Sequence, residues 1–336
     1  MRQSTGKYIK ELSDSFAASE NISLVCHTNP DGDAIGSMLG LYHYLIKRGK
    51  NCRMISPSPL PEFLLWMDGA KDIIVYGHNQ QKANKFLSSS DLLVMLDFNH
   101  PSRLGAAEFI HNLSFKKRIL IDHHPVPEVK ADLIISEPKF SSTAELVYDL
   151  VTHIEGDDFI YSPFSDAIYV GMMTDTGNFS FGTYDGETLR IVSTLLDNGL
   201  DKGKITELVY DNFSADRMRL KGFALSERMV VLPIYNTAYI YLSQEDLKKY
   251  NHKVGDTEGF VNMPLSIRDI DMSVLFIERD DHIKLSLRSK GDFSVNDLSR
   301  KYFNGGGHKN AAGGRSQMGL IECVDYFESL LPLIKL

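Results

Sequence analysis

A set of acids and imidazoles follows apolar runs across the first half of the chain. ISLVC runs into His27-Thr28-Asn29-Pro30-Asp31-Gly32-Asp33, LLVML into Asp97-Phe98-Asn99, ILI into Asp122-His123-His124, and AIYVGMMT into Asp175-Thr176-Gly177. Such groups are costly to desolvate without partners, and gathered in one place they also repel one another. Divalent cations resolve both problems. Asp mixed with His favours manganese, iron, cobalt or zinc over a pure magnesium or calcium cage, and the absence of cysteine argues against structural zinc. The donors exceed the needs of one ion. Two ions about 3.5–4 Å apart, bridged by one carboxylate, form the arrangement used for displacement at a phosphate ester. The residues alone leave open which acid bridges.

Taken singly, each feature has a plain structural reading. Pro30-Asp31-Gly32 is good turn chemistry, Asp33 suits a helix N-cap, and Asp175-Thr176-Gly177 suits a turn. His27 suits a satisfied core histidine, and Asp97 a loop acid after a strand. Recurrence at four apolar ends is what turns these into one site.

The elements that must position the set alternate along the first two hundred residues. Strand-like runs occur at ISLVCH (22–27), CRMIS (52–56), DIIVY (72–76), LLVMLD (92–97) and RILID (118–122). Between them lie helical spacings, as in 34–50, where Ile35, Leu39, Tyr42 and Ile46 share a face. This alternation predicts an α/β domain with a mostly parallel sheet flanked by helices, whose carboxyl edge is the ligand edge. From Ser142 to about Arg228 the pattern is helical, and Ser141-Ser142-Thr143 reads as the N-cap ahead of AELVYDLV. After that, hairpin-like pairs predict a smaller mixed α+β domain. The expected division is a catalytic domain over 1–212, a helical linker over 213–228 and a substrate-binding domain over 229–336.

A chain of 336 residues suits two domains, because single cores seldom exceed roughly 250–300 residues. The net charge of −8 argues against capture of long nucleic acid, though not of a short anion compensated by bound cations. Three scattered cysteines, Cys26, Cys52 and Cys323, read as buried thiols of a reducing compartment, hence a cytoplasmic protein. The N-terminus carries no apolar leader core, and no stretch approaches the roughly 18 apolar residues of a membrane span. No membrane partner is expected, and a homodimer is compatible with the sequence.

In the C-terminal domain, Gly305-Gly306-Gly307 before His308 would let a backbone approach a ligand closely, or simply make a tight turn. Arg288, on the strand HIKLSLRS, suits a phosphate or a base, or equally a surface ion pair.

HTNPDGDAIGS, VMLDFN, IDHHP and GMMTDTGNF resemble the four motifs of the DHH phosphoesterase family, and VNDLSRKYFNGGGHKNAAGG resembles its associated C-terminal domain. The resemblance runs from about residue 20 to 315. It implies one metal on His27, Asp31 and Asp97 and a second on Asp33, Asp97, His123 and Asp175, with Asp97 as the bridge. It implies Mn2+, with Mg2+ or Co2+ as alternatives. Asp122 would orient an imidazole, and His124 would face the substrate phosphate, stabilising charge or protonating the leaving oxygen. Arg288 and His308 would lie near phosphate, with Gly305, Gly306 and Gly307 against base or ribose. Within the family the chain is most similar to the nanoRNase/pAp phosphatase branch. That branch implies short RNA oligonucleotides, cleaved to nucleoside 5′-monophosphates, and 3′-phosphoadenosine 5′-phosphate (pAp) as substrates. Cyclic or linear diadenylate phosphodiesterases form one alternative, and pyrophosphatases or exopolyphosphatases another. The latter need a C-terminal domain denser in Lys and Arg than the surroundings of Arg288, Lys290, His308 and Lys309.

Overall fold

The computed structural model describes residues 4–180 and 182–334, and the chain divides into two compact units, Met1–Asn212 and Phe213–Leu336. The first unit contains α1 (Gly6–Ala17), β1 (Asn21–Val25), α2 (Gly32–Lys47), β2 (Asn51–Ser56), β3 (Ile74–Val75), α3 (Gln80–Ser89), β4 (Leu92–Leu96), β5 (Lys117–Asp122) and β6 (Leu133–Ser136). Helices α4 (Thr143–Glu155), α5 (Ser162–Asp175), α6 (Gly186–Asp197) and α7 (Lys202–Tyr210) follow.

The six strands form one parallel sheet in the order β3-β2-β1-β4-β5-β6. Leu24, Val94, Leu96, Ile119 and Ile121 point into a core shared with α1, α2, α4 and α5. Their neighbours Val25, Leu93, Met95 and Leu120 point the other way, into a second cluster with Ala83 and Leu87 of α3. A sheet buried on both faces explains why its strands read as unbroken apolar runs rather than alternating ones.

Helix α2 carries Gly32, Gly36 and Gly40 at four-residue intervals, which places them on one stripe. This stripe meets α5 backbone to backbone. A Cβ on Gly36 would lie 2.5 Å from the Ala167 carbonyl oxygen and 2.8 Å from the Gly171 nitrogen. Gly32 abuts Thr174 and Gly40 abuts Ile168, so the helices run antiparallel. The contact brings the first turn of α2, with Asp33, beside Asp175, the last residue of α5.

Several boundaries differ from the sequence reading for identifiable reasons. Helix α2 starts at Gly32 rather than 34 because the Asp31 carboxylate, not Asp33, caps it, accepting from the Asp33 and Ala34 N–H groups. DIIVY shrinks to the two residues of β3 because a 3₁₀ turn over Ala70–Asp72 takes up its start. The run AIYVGMMT is helical; nearly every residue of α5 from Phe164 to Met173 is buried, so it shows no polar face. Strand β6, LIIS, was not foreseen.

The second unit comprises α8 (Ala215–Glu227), β7 (Met229–Leu232), β8 (Thr237–Leu242), α9 (Gln244–Lys249), β9 (Met272–Glu278), β10 (Ile283–Ser289), α10 (Val295–Tyr302), β11 (Gly306–His308), β12 (Ala311–Ser316) and α11 (Leu320–Leu330). Its sheet is mixed, in the order β11-β12-β10-β9-β8-β7, with β8 and β9 parallel and the other pairs antiparallel. Residues 213–228, read above as a linker, carry α8, whose Leu220 and Ala224 are buried with Ile240, Leu242, Leu275 and Ile277 of this unit. Among the described residues, no helix is long and apolar enough to cross a membrane.

Candidate metal centre

Strands β1 and β4 are neighbours in the parallel sheet but not in sequence, so the strand order reverses between them. A crevice opens at the carboxyl ends of such a pair, and ligands of open α/β sheets bind there. His27 lies two residues beyond β1, Asp97 directly follows β4, and Asp122 ends the adjacent β5 ahead of His123 and His124. Asp97 sits in the left-handed region with φ +64°, uncommon for a residue other than glycine, and its N–H donates to the Ile121 carbonyl.

Two groups of donors converge at this edge. In one, His27 Nε2 lies 3.4 Å from Asp97 Oδ2 and 3.9 Å from Asp31 Oδ2. In the other, His123 Nε2 lies 3.7 Å from Asp33 Oδ2, 3.7 Å from Asp97 Oδ1 and 3.6 Å from Asp175 Oδ2. Asp97 thus offers one oxygen to each group. His27 Nδ1 hydrogen-bonds the Thr28 carbonyl and His123 Nδ1 the Phe140 carbonyl, so each ring keeps its Nε2 lone pair for the acids' side. His27 Nε2 is buried and has no hydrogen-bond partner. A buried lone pair facing two carboxylates is unfavourable unless a cation lies between them. Two donors bound to one ion at about 2.0–2.2 Å stand roughly 3.0–3.6 Å apart, close to the separations here. The donor set therefore fits divalent metal.

The amino end of α4 closes the site from a direction that the sequence reading missed. Ser142 caps the helix, and its side chain accepts from the Glu145 N–H. The next two N–H groups are free of the cap. Those of Thr143 and Ala144 donate to Asp33 Oδ2 and Oδ1 at 2.7 and 2.8 Å, and the Thr143 hydroxyl donates to Asp97 Oδ1 at 2.8 Å. The positive end of the helix therefore faces a carboxylate.

Asp122 is fully buried, and its Oδ1 lies 2.7 Å from His124 Nδ1. The imidazole that it orients is therefore His124, while His123 rests on a backbone carbonyl. Beyond them the loop is pinned by Asn99, whose amide donates to the Pro125 carbonyl and whose own carbonyl accepts from Glu128 N–H. Between these anchors Val126 holds φ +55° and is 66% exposed, a strained conformation for a β-branched residue.

The DHH family N-terminal domain matches residues 21–172, and the DHHA1 domain matches residues 236–331. The crystal structure of an exopolyphosphatase-related protein from Bacteroides fragilis is 42% identical, with a TM-score of 0.91 over 97% of this chain and 96% of that one. The chain belongs to the DHH family. As a DHH protein it is a hydrolytic enzyme. The bifunctional oligoribonuclease and PAP phosphatase NrnA of Bacillus subtilis is 28% identical over 309 residues, which are 90% of this chain and 91% of that protein. RecJ from Thermus thermophilus, crystallised with Mn2+, shares the fold at 13% identity and a TM-score of 0.56, covering 99% of this chain and 55% of RecJ.

In the DHHA1 domain, Arg288 of β10 pairs with Ala311 of β12, which in turn pairs with His308 of β11. Residues in one row across a sheet project from the same face, so Arg288 and His308 share a face at about 9–10 Å, two strand spacings. The glycine run divides. A Cβ on Gly305 would collide with the Gly313 carbonyl and the Ser299 hydroxyl, and one on Gly307, at φ +149°, would lie 2.5 Å from the Ala311 carbonyl. Those two glycines are needed by the chain itself. A Cβ on Gly306 would meet only side-chain atoms of Arg300 and Asn296, at 3.5 Å.

The electrostatics of the DHH domain set a pH dependence for cation binding. Burial pushes Asp33 up to about 6, although the neighbouring His123 opposes the shift. Burial, then the charges of Asp33 and Asp31, hold Asp97 well above the usual carboxylate range. Burial, reinforced by Arg103, brings His27 down to about 4. For His123, burial is outweighed by Asp175 and Asp33, and its pKa is raised. A metal ligand must be an ionised carboxylate or a neutral imidazole. His27 already has its ligand form near neutral pH, whereas Asp33, raised to about 6, and Asp97 and His123, both raised, must each give up a proton to bind. Binding of Mn2+ should therefore weaken as the pH falls through about 6 and should release protons there. Calorimetric titration near pH 5 and pH 7.5, in buffers of different ionisation enthalpy, checks both; equal affinity and no proton release would contradict it.

Proposed function

We propose that this DHH enzyme is a two-metal phosphoesterase that shortens very small oligoribonucleotides to nucleoside 5′-monophosphates and dephosphorylates pAp. The observation that carries the reading is the division of Asp97 between two donor groups, one oxygen toward His27 and the other toward His123. His27, Asp31 and Asp97 would hold one cation, and Asp33, Asp97, His123 and Asp175 the other. Two such ions would supply a hydroxide nucleophile at neutral pH and neutralise charge developing on the phosphoryl group.

The chain's own residues do the rest. An ionised Asp122 keeps the His124 proton on Nδ1 and leaves Nε2 to take up a second proton when substrate is bound; the imidazolium then donates Nε2–H to a phosphate oxygen and passes that proton to the leaving oxygen. Arg288 and His308, on one face of the second sheet, take a further phosphate, with Gly306 against base or ribose. The substrate class is supported by the B. subtilis relative, an oligoribonuclease and PAP phosphatase over nine-tenths of both chains. The charge of −8 favours short substrates over long strands, whose binding depends on basic surface.

The name of the B. fragilis relative raises inorganic polyphosphate as a second reading. One assay separates the two. The enzyme with Mn2+ is offered pAp, a linear diribonucleotide, an RNA pentamer, cyclic diadenylate, pyrophosphate and polyphosphate side by side. Turnover of pAp and the shortest RNAs is expected. Turnover of the inorganic substrates alone would replace the proposal with the second reading.

A further inference from the structure

We infer that Thr143 is a positioning residue for the metal pair: its hydroxyl fixes the rotation of the Asp97 carboxylate, so that one oxygen faces each donor group. The inference rests on the two-metal reading above.

Asp97 has to meet an unusual requirement. Its Oδ2 must point at His27 while its Oδ1 points at His123, and rotation about the Cβ–Cγ bond would spoil both alignments at once. Among the described residues, the Thr143 hydroxyl is the one hydrogen-bond donor to this carboxylate, at 2.8 Å from Oδ1. Thr143 is fully buried, so no water competes for the place. The choice of donor also matters. A hydroxyl contributes one proton and no charge, so it orients Oδ1 and leaves that oxygen a second lone pair for a cation. A lysine or arginine there would compensate the carboxylate and repel the metal.

The hydroxyl is itself held in place from both sides. Thr143 is the first residue of α4, and its N–H grips Asp33 Oδ2 at 2.7 Å while Ala144 N–H grips Oδ1 at 2.8 Å. Two residues earlier, the Ser141 N–H donates to Glu145 Oε2, and Glu145 also accepts from the hydroxyl of Thr188 in the first turn of α6. The helix cap is Ser142, not Thr143. The hydroxyl of Thr143 is thus spared from capping and spent on Asp97. One residue of α4 touches an acid of each donor group: Asp33 through its backbone and Asp97 through its side chain.

The test uses the full-length enzyme and reads metal content as well as turnover. Thr143→Val keeps the shape and removes the donor, Thr143→Ser restores the donor, and Ser142→Ala removes the cap and leaves the donor. Wild type should bind two Mn2+, with the exchange-coupled electron-paramagnetic-resonance signature of a close pair. Thr143→Val should bind the second ion about 10–100-fold more weakly, the usual cost of losing a partner that orients a ligand, and should lose the coupled signal. Thr143→Ser should recover both. Ser142→Ala should melt at lower temperature with its Mn2+ stoichiometry intact. Two coupled ions in Thr143→Val, or equal loss in Ser142→Ala, would overturn the inference; if the valine variant does not fold, Thr143→Ala takes its place. A wild type that binds one ion or none would instead overturn the two-metal reading, so the two failures are distinguishable.

Discussion

Asp97→Ala should remove essentially all turnover and both bound cations. Each donor group would lose its shared oxygen, leaving His27 with Asp31 on one side and Asp33, His123 and Asp175 on the other. Metal ions contribute several kcal/mol of transition-state stabilisation at such sites, and each ~1.4 kcal/mol is a factor of ten in rate. The expected fall in kcat is therefore on the order of 10³ or more. Metal analysis of the dialysed variant should find neither ion. Because Asp97 is buried with its carboxyl held above the usual range, removing it should not unfold the metal-free domain, and the melting temperature without metal should hold or rise. Manganese-dependent activity retained in Asp97→Ala would mean that a different acid bridges.

His124→Ala should separate metal binding from chemistry. The imidazole Nδ1 lies 3.7 Å from Asp97 Oδ1 but is engaged at 2.7 Å by Asp122, which leaves it a proton donor rather than a metal donor. General acid–base contributions of a placed histidine are about 10²–10⁴-fold, so kcat should fall within that range while both Mn2+ ions stay bound. Burial, then the charge of His123, holds the His124 pKa well below its ordinary value. The ring is neutral near pH 7 before substrate arrives, and a bound phosphate would favour its protonation. If Mn2+ stoichiometry fell along with kcat, His124 would be a ligand rather than an acid. If kcat were unchanged, another group would protonate the leaving oxygen.

The residues gathered at the sheet edge were legible because parallel strands announce themselves as apolar runs, and a run that ends on Asp or His cannot be explained by the core. The same logic could not reach Thr143. Ser141-Ser142-Thr143 has a complete local explanation as a helix start, and nothing in those three letters says that α4 aims its amino end at Asp33 and Asp97. That fact belongs to the docking of one helix on the sheet. Asn99 stands in its motif without an evident task, and its task is to clamp a loop that lies nearby only after folding. The glycine run shows the converse. Three adjacent glycines read as one ligand-facing loop, but backbone crowding between β11, β12 and α10 already requires two of them. Strand β6 was not legible because three apolar residues, Leu133, Ile134 and Ile135, between loops carry too little periodicity to separate from a core-facing turn.

The bare contact between α2 and α5 acts as a spacer of fixed length. Asp33 and Asp175 sit at the adjoining ends of two helices that touch through main chain, so their separation is metered by atoms that have no rotamers to adjust. A Cβ added at Gly171 would crowd Asp33 Oδ1 to 2.9 Å and strike the Cβ of Ala144, wedging α2, α4 and α5 apart together. A single methyl group there would press directly on the Asp33 carboxylate and shift the spacing of the acids without replacing any of them.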